Sequence, residues 1–401
     1  MSKVYIVGAK RTAVGSFGGT LSLVPAFELG GHAIRAALSQ ANVSPALIDE
    51  VVVGNVLSAG QGMGPGRQAA KFADVPDSVP AFTLNMICGS GMKTVMEAAT
   101  KIKAGDADIV VAAGMENMSS TPFLVSANNR FGSKMGNQQL VDTMIHDGLT
   151  DAFNQYHMGI TAENVAEKYG ITRDDQDAFA LRSQQRAVAA LNKGRFADEI
   201  VPVEVHQRKK NIMFADDEYP RHDASIESLS GLRPAFKKDG SVTAGNASGI
   251  NDGGVAFVVA SEKAVEQHGL TPIAEIVSYG QGGLDPAYMG LGPVPAIQQA
   301  LERANMTLAE MELLELNEAF AAQALGVMHG LSDKYGLPLS WFDDKTNVNG
   351  GAIALGHPLG ASGGRILTTL LYEMEKRDVE YGMASLCIGG GMGTAIVVKR
   401  L

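Results

Sequence analysis

The sequence predicts an α/β protein made of two related halves, with a segment of different character inserted into the first of them. Three observations carry that expectation. The chain repeats one stretch of itself, apolar strands alternate with amphipathic helices in both copies, and a tract rich in Asn, Asp, Met and charge separates the copies.

The repeat aligns without gaps. Residues 33–56, AIRAALSQANVSPALIDEVVVGNV, lie over residues 296–319, AIQQALERANMTLAEMELLELNEA. The two match at Ala33/Ala296, Ile34/Ile297, Ala37/Ala300, Leu38/Leu301, Ala41/Ala304 and Asn42/Asn305. Each copy reads as an amphipathic helix, a turn capped by Ser44 or Thr307, a short second helix and an apolar strand. A second correspondence follows each copy. Cys88 precedes a helix and an apolar strand at 109–113, and His357 precedes a helix around 366–374 and a strand at 383–388. Helix–strand alternation of this kind predicts a mainly parallel sheet. The intervening segment carries a helix over 172–192, with Thr172 as its N-cap, and hairpin-like stretches near 199–215. A strand at 255–260 then returns to the core. The expected units are 1–118 plus 250–269 for the first half, 119–249 for the insertion and 270–401 for the second half.

Bulk properties narrow the function. A chain of 401 residues exceeds what one hydrophobic core supports, and 45% hydrophobic with 19% charged residues is ordinary for a folded protein. The net charge of −10 argues against a nucleic-acid partner, which needs a basic face. It also means that an anionic ligand must be met by a local positive patch. No apolar run approaches a membrane span, and the opening Met1-Ser-Lys-Val-Tyr-Ile-Val-Gly reads as a buried strand rather than a signal peptide. Two cysteines, Cys88 and Cys387, are too few for a disulfide scaffold. A reducing cytoplasm is the expected setting, and two cysteines each inside a glycine-rich motif point toward chemistry.

Four motifs carry that chemistry. In Asn85-Met-Ile-Cys88-Gly-Ser-Gly an apolar stretch ends at a cysteine and a helix follows, so Cys88 is expected at the positive end of a helix, where thiolate is favoured over thiol. In 347–365, NVNGGAIALGHPLGASGGR, His357 is held rigidly between glycine and proline. The same stretch matches the G-x-S-x-G pattern of serine hydrolases at 360–364, but no apolar strand precedes its first glycine, so Ser362 is expected to cap the following helix. In Ser385-Leu-Cys387-Ile-Gly389-Gly-Gly391-Met-Gly393, β-branched residues lead into another strand where a dinucleotide motif would open a helix. A nicotinamide site is therefore not expected. Cys387, followed by the backbone N–H groups of a glycine turn, suits a base beside an oxyanion hole. The fourth motif, Leu316-Asn317-Glu318-Ala319-Phe320, sits where a strand meets a helix, with Asn317 either an N-cap or a functional amide. No metal-ligand spacing is present.

Together NMICGSGMKT, NEAFAAQ, NVNGGAIALGHPLGASGGR and CIGGGMGTA resemble the thiolase family, as do ENMS at 116–119, HMGITAEN at 157–164 and TAGNASGIND at 243–252. The resemblance covers essentially the whole chain. It implies the thiolase fold: two duplicated α/β halves in five layers, with a loop domain covering the substrate. It also implies a reversible condensation of two acetyl-CoA to acetoacetyl-CoA and CoA through an acetyl-cysteine, with CoA thioesters as substrates and no cofactor. By the same resemblance Cys88 is the nucleophile, His357 its base and Cys387 the base for the second substrate. His357 and a water on Asn317 meet the enolate, and the N–H groups of Cys88 and Gly389 form a second oxyanion hole. Arg221 resembles an adenine-nucleotide contact and Ser248 a pantetheine contact, with Ala319 and Phe320 beside the substrate. Positive charge for CoA is available at His206-Gln-Arg-Lys-Lys210, Arg221 and Lys237-Lys238. His157, Met158 and Met289 resemble the short-chain branch, where bulky side chains close an acyl tunnel. A degradative 3-ketoacyl-CoA thiolase of broader range is the alternative, and a non-catalytic CoA- or lipid-binding protein is the alternative of another class. The family implies a homo-oligomer, a dimer or tetramer.

Overall fold

The computed structural model describes residues 3–207 and 210–401. The chain opens with strand β1 (Val4–Thr12) and helix α1 (Ala26–Ala41), followed by β2 (Glu50–Gly54), α2 (Pro65–Phe72), β3 (Ala81–Leu84), α3 (Ser90–Ala104) and β4 (Ile109–Asn117). The next segment contributes α4 (Met158–Tyr169), α5 (Arg173–Asn192) and a two-stranded hairpin, Val203–Gln207 with Lys210–Phe214. Strand β5 (Asn251–Ser261) returns to the sheet, and β6 (Ala274–Gly283), α6 (Pro293–Ala304), β7 (Leu313–Leu316), α7 (Ala321–Tyr335), α8 (Leu359–Arg377), β8 (Tyr381–Ile388) and β9 (Met392–Arg400) complete the chain.

The principal strands lie in one sheet in the order β7-β8-β9-β6-β1-β5-β4-β2-β3. The two halves meet where β1 pairs antiparallel with β6, Tyr5 opposite Glu275. Outward from that seam the pattern is the same on both sides. Two antiparallel pairings come first (β1–β5–β4 and β6–β9–β8), then a parallel one (β4–β2 and β8–β7). The sheet is thus mixed rather than mainly parallel. Strand β9 turns straight back from β8 through the glycines, and β5 is supplied only after the insertion, so neither follows a helical crossover. The duplicated helices end alike. Asn42 after α1 and Asn305 after α6 are both left-handed, at φ +52° and +53°, and each closes its helix through its backbone N–H. The short helices expected after them are single 3-10 turns, Pro45–Leu47 and Leu308–Glu310.

Alternation along the strands sorts the core into layers. In β2, Val51 and Val53 face α1 and α2, whereas Val52 faces α3. In β9, Ala395 and Val397 face α6 and α7, whereas Ile396 and Val398 face α8. Helices α3 and α8 therefore lie between the sheet portions of the two halves, giving five layers. From Leu359 to Met374 every residue of α8 is buried, the polar Ser362, Arg365, Thr368, Thr369 and Glu373 included, because the helix is enclosed by both halves. Each large side chain there, such as Ile366 or Leu370, contributes roughly 1.5–3 kcal/mol by leaving water.

Small residues let α3 and α8 touch at their N-terminal ends. A methyl group added to Gly91 would lie 2.8 Å from the Gly360 carbonyl, and one on Gly363 would lie 2.7 Å from the Met92 N. The loops before the two helices carry Cys88 and His357. The inserted segment is tied back to β1 by Arg11, a fully buried guanidinium whose Nε is 2.6 Å from Glu199 and whose two terminal nitrogens hold Asp217 at 2.7 and 2.8 Å. Such a fork-on-carboxylate geometry is what offsets the desolvation of a buried charge. Within the insertion, Thr172 caps α5 in a capping box with Asp175. No helix among the described residues is long and apolar enough to cross a membrane.

Candidate active site

The expected strand into Cys88 stops at Leu84, and residues 85–90 form a tight turn fixed by hydrogen bonds. The Ile87 N–H donates to Asn85 Oδ1 (2.9 Å), the Met86 N–H donates to Ser90 Oγ (2.8 Å), and that hydroxyl donates to the Ile87 carbonyl (2.7 Å). Ile87 is held at φ +49°, a conformation that costs an L-residue roughly 1–2 kcal/mol and suits a β-branched side chain least. Cys88 follows at the start of α3. A methyl group on Gly89 would lie 2.3 Å from Ile388 Cδ1, so the turn packs directly against the end of β8, where Cys387 stands, and a larger residue would displace the Ile388 side chain.

His357 is presented by its neighbours. Its N–H donates to Asn251 Oδ1 (2.9 Å), and Gly356 before it is at φ +101°. The ring Nδ1 is 2.6 Å from Ser362 Oγ, which also lies 2.7 Å from the Pro358 carbonyl. With the one hydroxyl proton given to that carbonyl, Nδ1–H donates to Ser362 and Nε2 carries the lone pair. Ser362 is the fourth residue of α8 and caps nothing, contrary to expectation; it orients the imidazole instead. Glu116 clamps the neighbouring backbone, accepting from Asn55 Nδ2 (2.8 Å), the N–H groups of Val56 and Leu57 (3.1 Å each) and the Gly360 N–H (2.9 Å).

Asn317 does not cap α7, whose N-cap is Phe320. Its side chain is buried, and neither amide atom has a partner. Adjacent residues fix its backbone. Asn347 Oδ1 accepts from Leu316 N–H (2.8 Å), its Nδ2 donates to the Leu316 carbonyl (2.7 Å), and Glu318 accepts from Ser183 Oγ (2.6 Å) and Asn347 Nδ2 (2.8 Å). A buried amide left free while its surroundings are bonded this fully is an arrangement suited to holding a water.

These loops close around a cavity of about 410 Å³. It is lined by Cys88, His357, Cys387, Gly389, His157, Met158, Arg221, Ser248, Met289, Ala319 and Phe320, so of the catalytic and substrate-contact residues expected from the family resemblance only Asn317 does not reach its wall. Lys237, Lys238, His206 and Lys210 do not line it, and Arg208 and Lys209 lie outside the described residues. Arg221 is exposed at the cavity's rim, with its N–H held by Gln184 Oε1 at 2.8 Å. The sequence reading missed Ile87, Phe236, Leu149 and Tyr219, which also line the cavity. Phe236 stacks on His157 at 4.5 Å and meets Phe320 edge-on at 6.0 Å. No periodicity marks Phe236, because it sits in an irregular loop. His157 Nδ1 accepts from the Gly159 N–H (3.0 Å), so the neutral ring carries its proton on Nε2.

Burial dominates the electrostatics. Desolvation, with Arg365 behind it, pushes His357 down to about 4, so the ring is neutral at pH 7 and able to accept a proton. Desolvation pushes the half-buried Cys88 up to about 11, against the pull of the Gly389 N–H and its own N–H. The expectation of a thiolate at the helix end is therefore reversed in the free protein, and Cys88 rests as a thiol. Cys387 is raised further, by burial first and then by Cys88. Iodoacetamide alkylation of Cys88, followed by peptide mass, is expected to accelerate about tenfold per unit from pH 7 to 9 without levelling. A plateau near neutrality would show a thiolate already formed.

The family models describe what this arrangement belongs to. The thiolase N-terminal domain matches residues 4–263 and the thiolase C-terminal domain residues 254–400. The chain belongs to the thiolase family. Similar proteins include the acetyl-CoA acetyltransferase of Chromobacterium violaceum, 56% identical over 99% of this chain and 100% of that one. That of Cupriavidus necator is 56% identical over the whole of both. Among solved structures, the Bacillus anthracis acetyl-CoA acetyltransferase superposes with a TM-score of 0.95 at 43% identity, covering 100% of this chain and 99% of that one. Human mitochondrial 3-ketoacyl-CoA thiolase in complex with CoA gives 0.93 at 44%, covering 100% and 98%.

Proposed function

We propose that this protein is an acetyl-CoA C-acetyltransferase, condensing two acetyl-CoA to acetoacetyl-CoA and CoA by a reversible ping-pong route. The observation that carries the reading is the convergence of Cys88, a neutral His357 and Cys387 on one cavity. Full-length likeness to acetyl-CoA acetyltransferases supports it.

In the first half-reaction His357 Nε2 takes the Cys88 proton, and the thiolate attacks the acetyl carbonyl. The carbon–sulfur bond to CoA breaks, Cys387 gives its proton to the departing CoA sulfur, and acetyl-Cys88 remains. His357 is now protonated on Nε2 and Cys387 is a thiolate, opposite charges that stabilise one another in a low-dielectric site. In the second half-reaction Cys387 removes a methyl proton from a new acetyl-CoA. The enolate oxygen is met by the His357 Nε2–H and a water on Asn317, and the carbon attacks acetyl-Cys88. The tetrahedral oxyanion sits between the N–H groups of Cys88 and Gly389, donors of a kind whose single removal costs about 3–4 kcal/mol of barrier. Cys88 leaves as thiolate and recovers its proton from His357, so every group returns to its starting state.

CoA thioesters are the substrates and the reaction needs no cofactor. Arg221 meets the nucleotide end and Ser248 the pantetheine arm. Ser248 is anchored where the insertion meets the second half, its N–H donating to the Ala319 carbonyl (2.9 Å). Met158 and Met289 share a buried cluster with Phe320 and Cys387 in the cavity wall, which favours a short acyl group over the longer chains of a broad 3-ketoacyl-CoA thiolase. A cytoplasmic homo-oligomer, a dimer or tetramer, is the setting that fits. Thiolysis by CoA of four-, six- and eight-carbon 3-ketoacyl-CoA thioesters tests the assignment. We expect a steep fall beyond four carbons; equal rates along the series point to the broad-range reading, and no turnover of any of them points to a binding protein.

A further inference from the structure

Ile87 is an anomaly that the proposed chemistry leaves unused. Among the described residues, the other non-glycine residues at positive φ are five Asn or Asp, which tolerate that conformation, and Gln155; Ile87 alone is β-branched. If the turn before Cys88 needed only its shape, glycine or asparagine at this position would supply it with less strain. A costly side chain held by an over-determined backbone points to a use for the side chain itself.

Its surroundings indicate the use. Ile87 lines the same cavity as Cys88. A methyl group placed on Gly389 would lie 3.6 Å from Ile87 Cδ1 and Cγ2, and 3.6 Å from Met158 Sδ. The isoleucine, from the turn at 85–90, and the methionine, from the start of α4, therefore both lie against the glycine whose N–H faces Cys88. Behind it Ile87 rests on Val56, Leu57, Met118 and Leu359, which leave it little room to swing away.

We propose that Ile87 is a specificity-determining residue, closing the cavity beside Gly389 so that only a short acyl group fits on Cys88. The inference rests on the acyl-transfer reading above and adds the residue that limits chain length. Unlike Met158, whose unbranched side chain can be displaced, Ile87 is stiff at χ1 and braced from behind.

The test compares wild type with Ile87→Ala, Ile87→Gly and Ile87→Val. The readout is the ratio of kcat/KM for thiolysis of the six-carbon 3-ketoacyl-CoA to that of the four-carbon one. Intact mass after incubation with acetyl-CoA is recorded for each protein. We expect the ratio to rise about tenfold or more in Ile87→Ala and Ile87→Gly, the scale set by space for one or two methylenes, and by less in Ile87→Val. Ile87→Val removes a single methyl and keeps the branched backbone setting, so it serves even if the larger truncations fail to fold. A ratio unchanged within about twofold, in variants that still acquire the acetyl group, overturns the inference and leaves Ile87 a packing residue. A wild type that acquires no acetyl group overturns the reaction itself, and the inference with it.

Discussion

Cys88→Ala is expected to acquire no acetyl group from acetyl-CoA, and its condensation rate to fall by about five orders of magnitude or more. The reason is chemical rather than structural. Alanine fits the turn, since the bonds that fix 85–90 come from Asn85, Ser90 and the backbone. What disappears is the atom proposed to hold the acyl group between two substrates. CoA binding should persist on the proposed reading, in which Arg221 and Ser248 hold CoA and are untouched by this change. Intact-protein mass with wild type alongside gives the answer: one acetyl adduct in the wild type and none in the variant. An adduct surviving in Cys88→Ala would move the acyl site elsewhere and overturn the proton circuit between His357 and the two cysteines.

Cys387→Ala is expected to separate the half-reactions. The acetyl adduct on Cys88 still forms, because a departing CoA thiolate can take its proton from water. Condensation falls by about two to four orders of magnitude, the range for losing a positioned base. A second readout isolates the step. In deuterated water the wild type should exchange the methyl hydrogens of acetyl-CoA, and the variant should not. Condensation that continues unchanged, or exchange that persists, would remove Cys387 from the role of base. The raised pKa of this thiol makes the dependence sharper. Cys387 is a strong base once ionised, but in the free protein burial and Cys88 hold it protonated. On the proposed route, the first half-reaction ionises it.

Much of this was legible in the chain, for physical reasons that differ by element. The duplicated helices announced themselves through apolar periodicity and through Asn42 and Asn305, the residue type that ends a helix in the left-handed region. The residues now found around the cavity were marked because glycine-rich stretches broke the periodicity at Cys88, His357 and Cys387. The sheet's sense was misjudged, because pairing direction is decided by what happens between strands, and the insertion before β5 hides that. The Cys88 thiol was misjudged because a helix end is visible in sequence while desolvation is not. Phe236 and Ile87 were missed for related reasons. One lies in irregular chain, and the signal of the other is a backbone angle that no pattern of residue types encodes. Ser362 was noticed for the wrong partner: hydroxyl spacing pointed to a helix cap, and the structure bonds it to His357.

Cys88 and His357 occupy equivalent places, each in the loop ahead of a central helix, one in each copy of the duplicated unit. On the proposed roles, two identical copies facing one another would present two nucleophiles without a base, or two bases without a nucleophile. The symmetry that builds the scaffold is thus incompatible with the proposed chemistry, which requires the two copies to be unlike at these corresponding loops. On that reading, the duplicated unit supplies the scaffold, and the difference between corresponding loops divides the labour within the cavity.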